Sequence, residues 1–149
     1  MLYLLYLIYN RQQKEGELLI IQLDMQSELP IYSQLVYQII EGIASGELQL
    51  GEALPSVRNL AADIGVNLHT VNKAYTLLKQ DGYILIHRQK GVVVNPDGMP
   101  GLTDDFLKKQ QTELRPIIAE AICRGMTKEE LSAVLDQIYD DVKMGHNKE

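Results

Sequence analysis

Two short helical patterns, a glycine between them and two β-prone runs after them constrain the fold of this 149-residue chain more than any other feature. Ser56 suits the N-cap of the first helix, because its hydroxyl can accept a backbone N–H of the first turn. Leu60, Ala61 and Ile64 then share one face, and Gly65 is placed to end the helix in the left-handed conformation. These residues predict a short amphipathic helix that ends in a tight turn.

The next helix begins after Asn67, a second candidate N-cap, and Asp81-Gly82 stops it. Its apolar residues recur at the spacing of one buried face: Val71, Ala74, Tyr75 and Leu78. Residues 83–86 and 92–94 are β-prone and flank a polar stretch, which predicts a β-hairpin. Helix, turn, helix and hairpin follow one another in the order of a winged helix-turn-helix.

The second helix of such a pair is narrow enough to enter the major groove of duplex DNA. Its outward residues here are mostly short and polar, which suits phosphate oxygens and base edges. Arg58, in the preceding helix, can reach the same groove or its rim, and the hairpin tip can reach the adjacent backbone or minor groove. The predicted DNA-binding residues are Arg58, Asn67, His69, Thr70, Asn72, Lys73, Arg88, Gln89 and Lys90.

Spacing alone leaves other roles open for several of these residues. Taken by itself, Arg58 is better explained as a solvated surface arginine, and only the whole motif reverses that interpretation. For His69, a plain polar surface role competes evenly with a base contact. Thr70 and Asn72 also suit the polar start of a helix without any ligand.

The net charge of −6 at first disfavours nucleic acid as a partner. The charge is unevenly distributed, since residues 1–55 carry −5, residues 92–149 carry −4, and residues 56–91 hold five basic and two acidic side chains, a net +3. The predicted DNA-binding segment is therefore locally basic. The acidic flanks should weaken non-specific binding to DNA.

Three spaced motifs are far more specific than a generic helix-turn-helix: P-S-V-R-N-L-A from Pro55, G-V-N-L-H-T-V-N-K-A-Y from Gly65, and D-G-Y-I from Asp81. With them, residues 30–94 resemble the GntR family of bacterial transcription regulators. The lead-in to Tyr32 and the short C-terminal region are similar to the YtrA subfamily. The resemblance implies a homodimeric repressor or activator, often encoded beside ABC-transporter genes that it controls, and we favour a repressor.

The resemblance also implies individual roles. Arg58 matches the family's DNA-contacting arginine, Thr70 matches the threonine early in the recognition helix, and Lys73 lies where a basic residue is frequent. Arg88 and Lys90 match the basic tip of the wing.

Three departures from the family pattern concern the operator. Leu68 and Asn72 stand where many relatives carry arginine, and Gln89 replaces the first glycine of the wing. These departures predict weaker guanine recognition, offset by an apolar contact from Leu68 to a thymine methyl group.

Residues 1–9 (MLYLLYLIY) form the most apolar stretch, yet they fall far short of the roughly 20 residues that span a bilayer. Neither a basic leader nor a cleavage site accompanies them, so we predict no membrane span and a cytoplasmic protein. Three interpretations remain: a peripheral helix packed on a partner, a weak membrane contact, or an extension upstream of a natural start at Met25. Residues 18–23 are predicted to form a strand.

We predict an N-terminal extension over residues 1–24, a winged helix-turn-helix domain over 25–95, a linker over 96–101 and a two-helix dimerisation region over 102–149. The domain opens with a helix after Pro30 that Gly46 ends. Tyr32, Tyr37 and Tyr75 are interpreted as core residues. The predicted fold is mainly α with a small β-hairpin.

The C-terminal region is predicted to hold one helix over residues 102–124, with Thr103 as its cap and Pro116 within it, and a second helix that opens with a capping box of Thr127 and Glu130. Two helices of this size cannot enclose the apolar stripe of the second one, so we expect pairing with a second copy. The predicted dimerisation residues are Leu131, Val134, Leu135, Ile138, Tyr139 and Val142.

An enzymatic function is disfavoured, because the sequence has no glycine-rich phosphate loop, nucleophile elbow or zinc-protease motif. No catalytic residue, cofactor or metal site is predicted, and Cys123 is interpreted as a packed thiol. The sequence predicts a dimeric regulator that recognises an inverted-repeat operator in double-stranded DNA. The alternative function is a winged-helix protein-interaction module without DNA recognition. A further hypothesis is that the interface of the lobes senses a small-molecule effector, with Pro116 as a hinge.

Overall fold

The computed structural model describes residues 3–9 and 18–145, with side chains described from residue 21 onwards. The chain divides into two units: the first is Met1–Pro100 with Lys143–Glu149, and the second is Gly101–Val142. Within the described residues no helix is long and apolar enough to cross a membrane.

The first unit opens with an antiparallel hairpin of two strands, β1 (Tyr3–Tyr9) and β2 (Leu18–Asp24). Tyr3 pairs with Asp24 and Tyr9 pairs with Leu18, so the two strands match along their full length. The strand predicted at residues 18–23 is confirmed. The interpretation of residues 1–9 as a peripheral helix is wrong for residues 3–9, because this tyrosine-rich apolar run pairs with β2 as a strand. The rest of residues 1–17 lies outside the described residues.

The outer edge of β2 is covered by two glutamine side chains of α1 (Ile31–Ser45). Gln38 accepts a hydrogen bond from the N–H of Gln22 at 2.6 Å and donates one to its carbonyl. The buried Gln34 accepts a hydrogen bond from the N–H of Asp24 and donates one to the carbonyl of Asp24, both at 2.9 Å. Because these amides satisfy backbone groups that a neighbouring strand would otherwise pair, they fix the hairpin to α1.

The helices α2 (Val57–Ile64) and α3 (Leu68–Gln80) begin and end where the sequence predicts. The Ser56 hydroxyl accepts the N–H of Asn59 at 3.1 Å, and the Asn67 side chain accepts the N–H of His69 at 2.8 Å. Gly65 has a φ of +67°, the left-handed conformation expected of a C-cap glycine.

The predicted hairpin is confirmed as β3 (Ile84–His87) and β4 (Gly91–Val94), which we call the wing together with its tip, residues 88–90. A third chain segment adds to it, since Ala53 bridges Val93 and the N–H of Leu54 donates to the carbonyl of Val92 at 2.9 Å. The wing is thereby attached to the connector that leads into α2.

One hydrophobic core joins these elements. It contains the predicted inward residues of α2 and α3, together with the buried residues of β2, α1 and the wing: Ile21, Leu23, Leu35, Ile39, Leu60, Ala61, Ile64, Val71, Ala74, Tyr75, Leu78, Ile84, Val92 and Val94. The core interpretation is confirmed for Tyr75 and wrong for Tyr37, which is 57% exposed on the outer side of α1.

The second unit consists of α4 (Asp104–Cys123) and most of α5 (Lys128–Met144). Thr103 caps α4, and Thr127 and Glu130 form the predicted capping box, with hydrogen bonds of 2.7 and 3.1 Å between backbone and side chain. Neither helix buries a residue in the described part of the chain. The interpretation of Cys123 as a packed thiol is therefore wrong within the single chain, because two helices offer nothing to enclose it.

Candidate functional site

Helix α3 is held by its inner face and presents its outer face to solvent. Val71, Ala74 and Leu78 are buried against the core. The hydroxyl of Tyr75 donates a 2.8 Å hydrogen bond to the carbonyl of Pro55, immediately before the N-cap of α2. Because this bond joins the corner before α2 to the middle of α3, it fixes the start of α2, and with it Arg58, relative to α3.

The predicted contact residues of the two helices lie at the surface. Arg58, His69, Asn72 and Lys73 are exposed, and Thr70 is half-buried. Asn67 is exposed as well, but its side-chain oxygen already accepts the N–H of His69, so only its amide N–H₂ is free to donate to a ligand. The arrangement offers guanidinium, ammonium, hydroxyl and amide donors on adjacent helices, which matches the acceptor oxygens of a nucleic-acid backbone.

Leu68, at the first position of α3, is 47% exposed. An exposed leucine at the N-terminal end of a groove-binding helix is suited to a thymine methyl group, as its departure from the family pattern predicts. This contact remains a prediction.

The wing tip carries the remaining predicted contacts, since Arg88, Gln89 and Lys90 are all exposed. Sequence reasoning missed the part that His87 plays there. Its Nδ1 accepts the backbone N–H groups of Gln89 at 3.2 Å and Lys90 at 3.3 Å. The imidazole thus takes the place that an asparagine side chain often fills in a turn, and it shapes the tip without a glycine at position 89.

Sequence reasoning also missed a contact between α1 and α3. The ammonium of Lys73 lies 3.7 Å from the ring centroid of Tyr32. The pKa of the Tyr32 phenol lies below its usual value, first because of a side-chain hydrogen bond with Ser33, and then because Lys73 hydrogen-bonds to the phenol and adds its positive charge. Tyr32 is half-buried against the core, as interpreted, and it has this second, polar role besides.

Comparison with known proteins adds independent evidence to this geometry. The profile of the family described as "Bacterial regulatory proteins, gntR family" matches residues 31–94, which begin in α1 and end with the wing. The chain is also 34% identical over 125 residues to the HTH-type transcriptional repressor YtrA of Bacillus subtilis (strain 168), an alignment that covers 84% of this chain and 96% of that protein. The chain belongs to the GntR family.

Solved structures of similar proteins support the same assignment. A transcriptional antiterminator from Listeria monocytogenes EGD-e is 31% identical with a TM-score of 0.75, and the match covers 85% of this chain and 94% of that one. A GntR family transcriptional regulator from Listeria monocytogenes is 29% identical with a TM-score of 0.54, covering 77% of this chain and 98% of that one.

The family membership answers the broad question of function. This GntR chain is a transcription regulator with a DNA-binding domain and is not an enzyme. The predicted winged helix-turn-helix fold, mainly helical with a small antiparallel hairpin, is confirmed, and the structure adds the β1–β2 hairpin to it. The individual contact residues remain predictions.

Proposed function

We propose that this GntR regulator binds an inverted-repeat operator as a homodimer and represses the genes that the operator controls. The observation that carries this proposal is the surface built by α2, α3 and the wing, where six side chains with N–H or O–H donors lie on the outward side of α3 and on the neighbouring α2. Its predicted members on the helices are Arg58, Asn67, His69, Thr70, Asn72 and Lys73, and the wing adds Arg88, Gln89 and Lys90.

The local charge supports DNA as the ligand. Residues 56–91 carry a net +3 within a chain of net −6. Such a surface attracts phosphate locally while the acidic remainder repels it, so binding should depend strongly on the fit of the recognition surface and on salt. The steep salt dependence also distinguishes this function from a protein-interaction role, which has no phosphates to contact.

The exposed apolar face of the second unit supports a homodimer. On α5, Leu135 and Ile138 are 52% and 53% exposed, and Tyr139 is exposed beside them. The remaining predicted interface residues of this helix are Leu131, Val134 and Val142. On α4, Phe106, Ile117 and Ile122 are exposed as well. A second copy of the chain can cover such a face symmetrically, because a two-fold interface uses the same surface twice.

The geometry of the proposed dimer determines the expected spacing of the operator half-sites. Two recognition helices related by a two-fold axis and about 34 Å apart would contact half-sites centred one helical turn apart on one face of the duplex. The relative named a repressor supports repression over activation. We place the protein in the cytoplasm with its DNA target, and we propose an ABC-transporter operon as the controlled unit, on the YtrA resemblance.

Regulation by a small-molecule effector is a separate proposal. It rests on Pro116, which lies inside α4 and interrupts its hydrogen-bond ladder, so that a ligand could change the helix there. A thermal-shift screen of metabolites against the full chain tests it, and a library without a stabilising compound would contradict it.

In the main experiment, the full-length chain selects the duplexes that it binds from a random-sequence pool. Light scattering measures the mass of the protein in the same buffer. We expect an enriched inverted repeat, a dimeric mass, and a matching repeat upstream of the regulated operon. Enrichment of no sequence over the starting pool would contradict sequence-specific binding. A monomeric mass at micromolar concentration would contradict the homodimer.

A further inference from the structure

The contact between Lys73 and Tyr32 joins the recognition helix to the first turn of α1. Lys73 lies on the second turn of α3 and is exposed, whereas Tyr32 is half-buried against the core. The ammonium lies 3.7 Å from the centroid of the ring. Tyr32 is therefore a fixed platform, and it restricts a side chain that would otherwise sample many rotamers.

The contact leaves hydrogen-bonding capacity unused. An ammonium has three N–H donors, and one of them hydrogen-bonds to the phenol of Tyr32, so two stay available beside the ring face. The phenol of Tyr32 adds an O–H donor beside it. Side-chain hydrogen bonds with Ser33 and with Lys73, together with the Lys73 charge, lower the pKa of this phenol, which makes its O–H a stronger donor.

We propose that Tyr32 and Lys73 act as one phosphate-contacting pair, in which the ring of Tyr32 positions the ammonium and its hydroxyl supplies the second donor. The DNA-binding surface then extends from α3 to the first turn of α1. The inference rests on the proposed function, since it assigns two groups of that surface to the same phosphate.

Phosphate fits this pair better than a base edge. An ammonium is a compact point charge without the planar fork that arginine offers to guanine. Tyr32 belongs to α1, outside the helix predicted to enter the groove, so we expect its hydroxyl to meet the backbone that borders the groove rather than a base edge. A phosphate contact carries no sequence information, and the pair should strengthen binding to every duplex alike.

The test measures the affinity of the full-length chain by fluorescence anisotropy for the duplex selected by the wild type and for a scrambled duplex, at several salt concentrations. The variants are Lys73→Met, Tyr32→Phe, Tyr32→Ala and the double variant Tyr32→Ala/Lys73→Met. Tyr37→Ala is the matched control, because this exposed tyrosine lies further along the same helix. Thermal melting shows which variants remain folded.

We expect Lys73→Met and Tyr32→Ala each to weaken binding about tenfold on both duplexes. Lys73→Met should also lower the salt slope by about 0.9, because it removes the positive charge of one phosphate contact. The double variant should bind about as weakly as either single variant. Tyr32→Phe should fall between wild type and Tyr32→Ala, because the ring still positions the ammonium while the hydroxyl is lost. Lys73→Met should also raise the pKa of Tyr32, measured by ring-carbon NMR.

Wild-type affinity in folded Tyr32→Phe would refute the hydroxyl contact. Fully additive losses in the double variant would refute a shared phosphate, and a loss confined to the selected duplex would indicate a base contact instead. Failure of the proposed function gives a different result: the wild-type chain itself would then show no preference for the selected duplex.

Discussion

Arg58 and Thr70 occupy different helices of the same surface, and each combines exposure with a hydrogen-bond donor. Arg58 is exposed on α2, and Thr70 is half-buried on the first turn of α3. The bond from Tyr75 to Pro55 holds the two helices in register. Their substitution should therefore affect DNA binding far more than folding.

For Arg58→Ala we expect a loss of about 10- to 100-fold in operator affinity, since one good arginine contact is worth about 1–3 kcal/mol. Thr70→Ala should cost several-fold, and the melting temperature of both variants should stay near that of wild type. Anisotropy titration and thermal melting measure the two effects. Arg124→Ala is the matched control, because Arg124 is an exposed arginine of the second unit whose ion pair with Glu120 lies at the surface. Wild-type affinity in both test variants would show that the assigned surface is wrong.

His87 makes a prediction at the wing. His87→Ala removes the acceptor for the N–H groups of Gln89 and Lys90, so the tip should lose its shape and operator affinity should fall about two- to fivefold. His87→Asn should restore most of the affinity, because an asparagine oxygen accepts the same N–H in this kind of turn. Amide hydrogen exchange at Gln89 and Lys90 measures the tip directly. Equal affinity and exchange in His87→Ala and wild type would contradict the shaping role.

At the scale of elements, the capping box of α5 makes stability depend on pH. The backbone and side-chain hydrogen bonds from Thr127 lower the pKa of Glu130 in the folded state. A lowered folded-state pKa means that the carboxylate contributes its full stabilisation above the usual glutamate range, and loses it as the pH falls through the folded-state value. We expect the melting temperature to fall on acidification more for wild type than for Glu130→Gln, which keeps the capping box without a titrating group. Parallel melting curves of the two proteins from pH 7 to pH 3 would contradict this account.

The elements that sequence predicts well are those whose signals are local. Ser56, Asn67, Thr103 and Thr127 each cap a helix start within three residues, and Gly65 ends α2 by its own backbone conformation. Such signals survive folding because their partners are neighbours along the chain.

What sequence reasoning missed depends on partners far apart along the chain. Residues 3–9 form a strand because β2 lies beside them, and no spacing within the run itself indicates this. The ring of Tyr32 meets Lys73 only once α1 packs on α3. The turn at His87 is the exception, because its hydrogen-bond partners are neighbours along the chain. A histidine can accept the N–H groups of a turn as an asparagine does, and the sequence alone could have indicated this role.

At the scale of the whole molecule, charge and apolar surface divide between two tasks. Residues 56–91 of the winged domain carry the local net +3, whereas the helices of the second unit carry the exposed apolar stripe. An acidic chain can therefore present a basic surface to DNA, and the proposed pairing would give the two-helix unit a core that its described residues lack.

The proposed homodimer can be tested by a single substitution on α5. Leu135→Lys places a charge in the proposed interface, so we expect a monomeric mass by light scattering and a loss of operator affinity of at least about tenfold. Gln137→Lys is the matched control, since helical geometry places it on the opposite face of α5. A dimer in Leu135→Lys would show that the interface lies elsewhere.

One anisotropy titration tests the central claim most directly. The wild-type chain is titrated against its selected inverted repeat, the same duplex with one half-site scrambled, and the same duplex with both scrambled, at physiological salt. We expect the intact repeat to bind about 1,000-fold or more tightly than the fully scrambled duplex, with the single half-site clearly weaker than the intact repeat. Equal affinity for all three duplexes would contradict a dimeric, sequence-specific regulator.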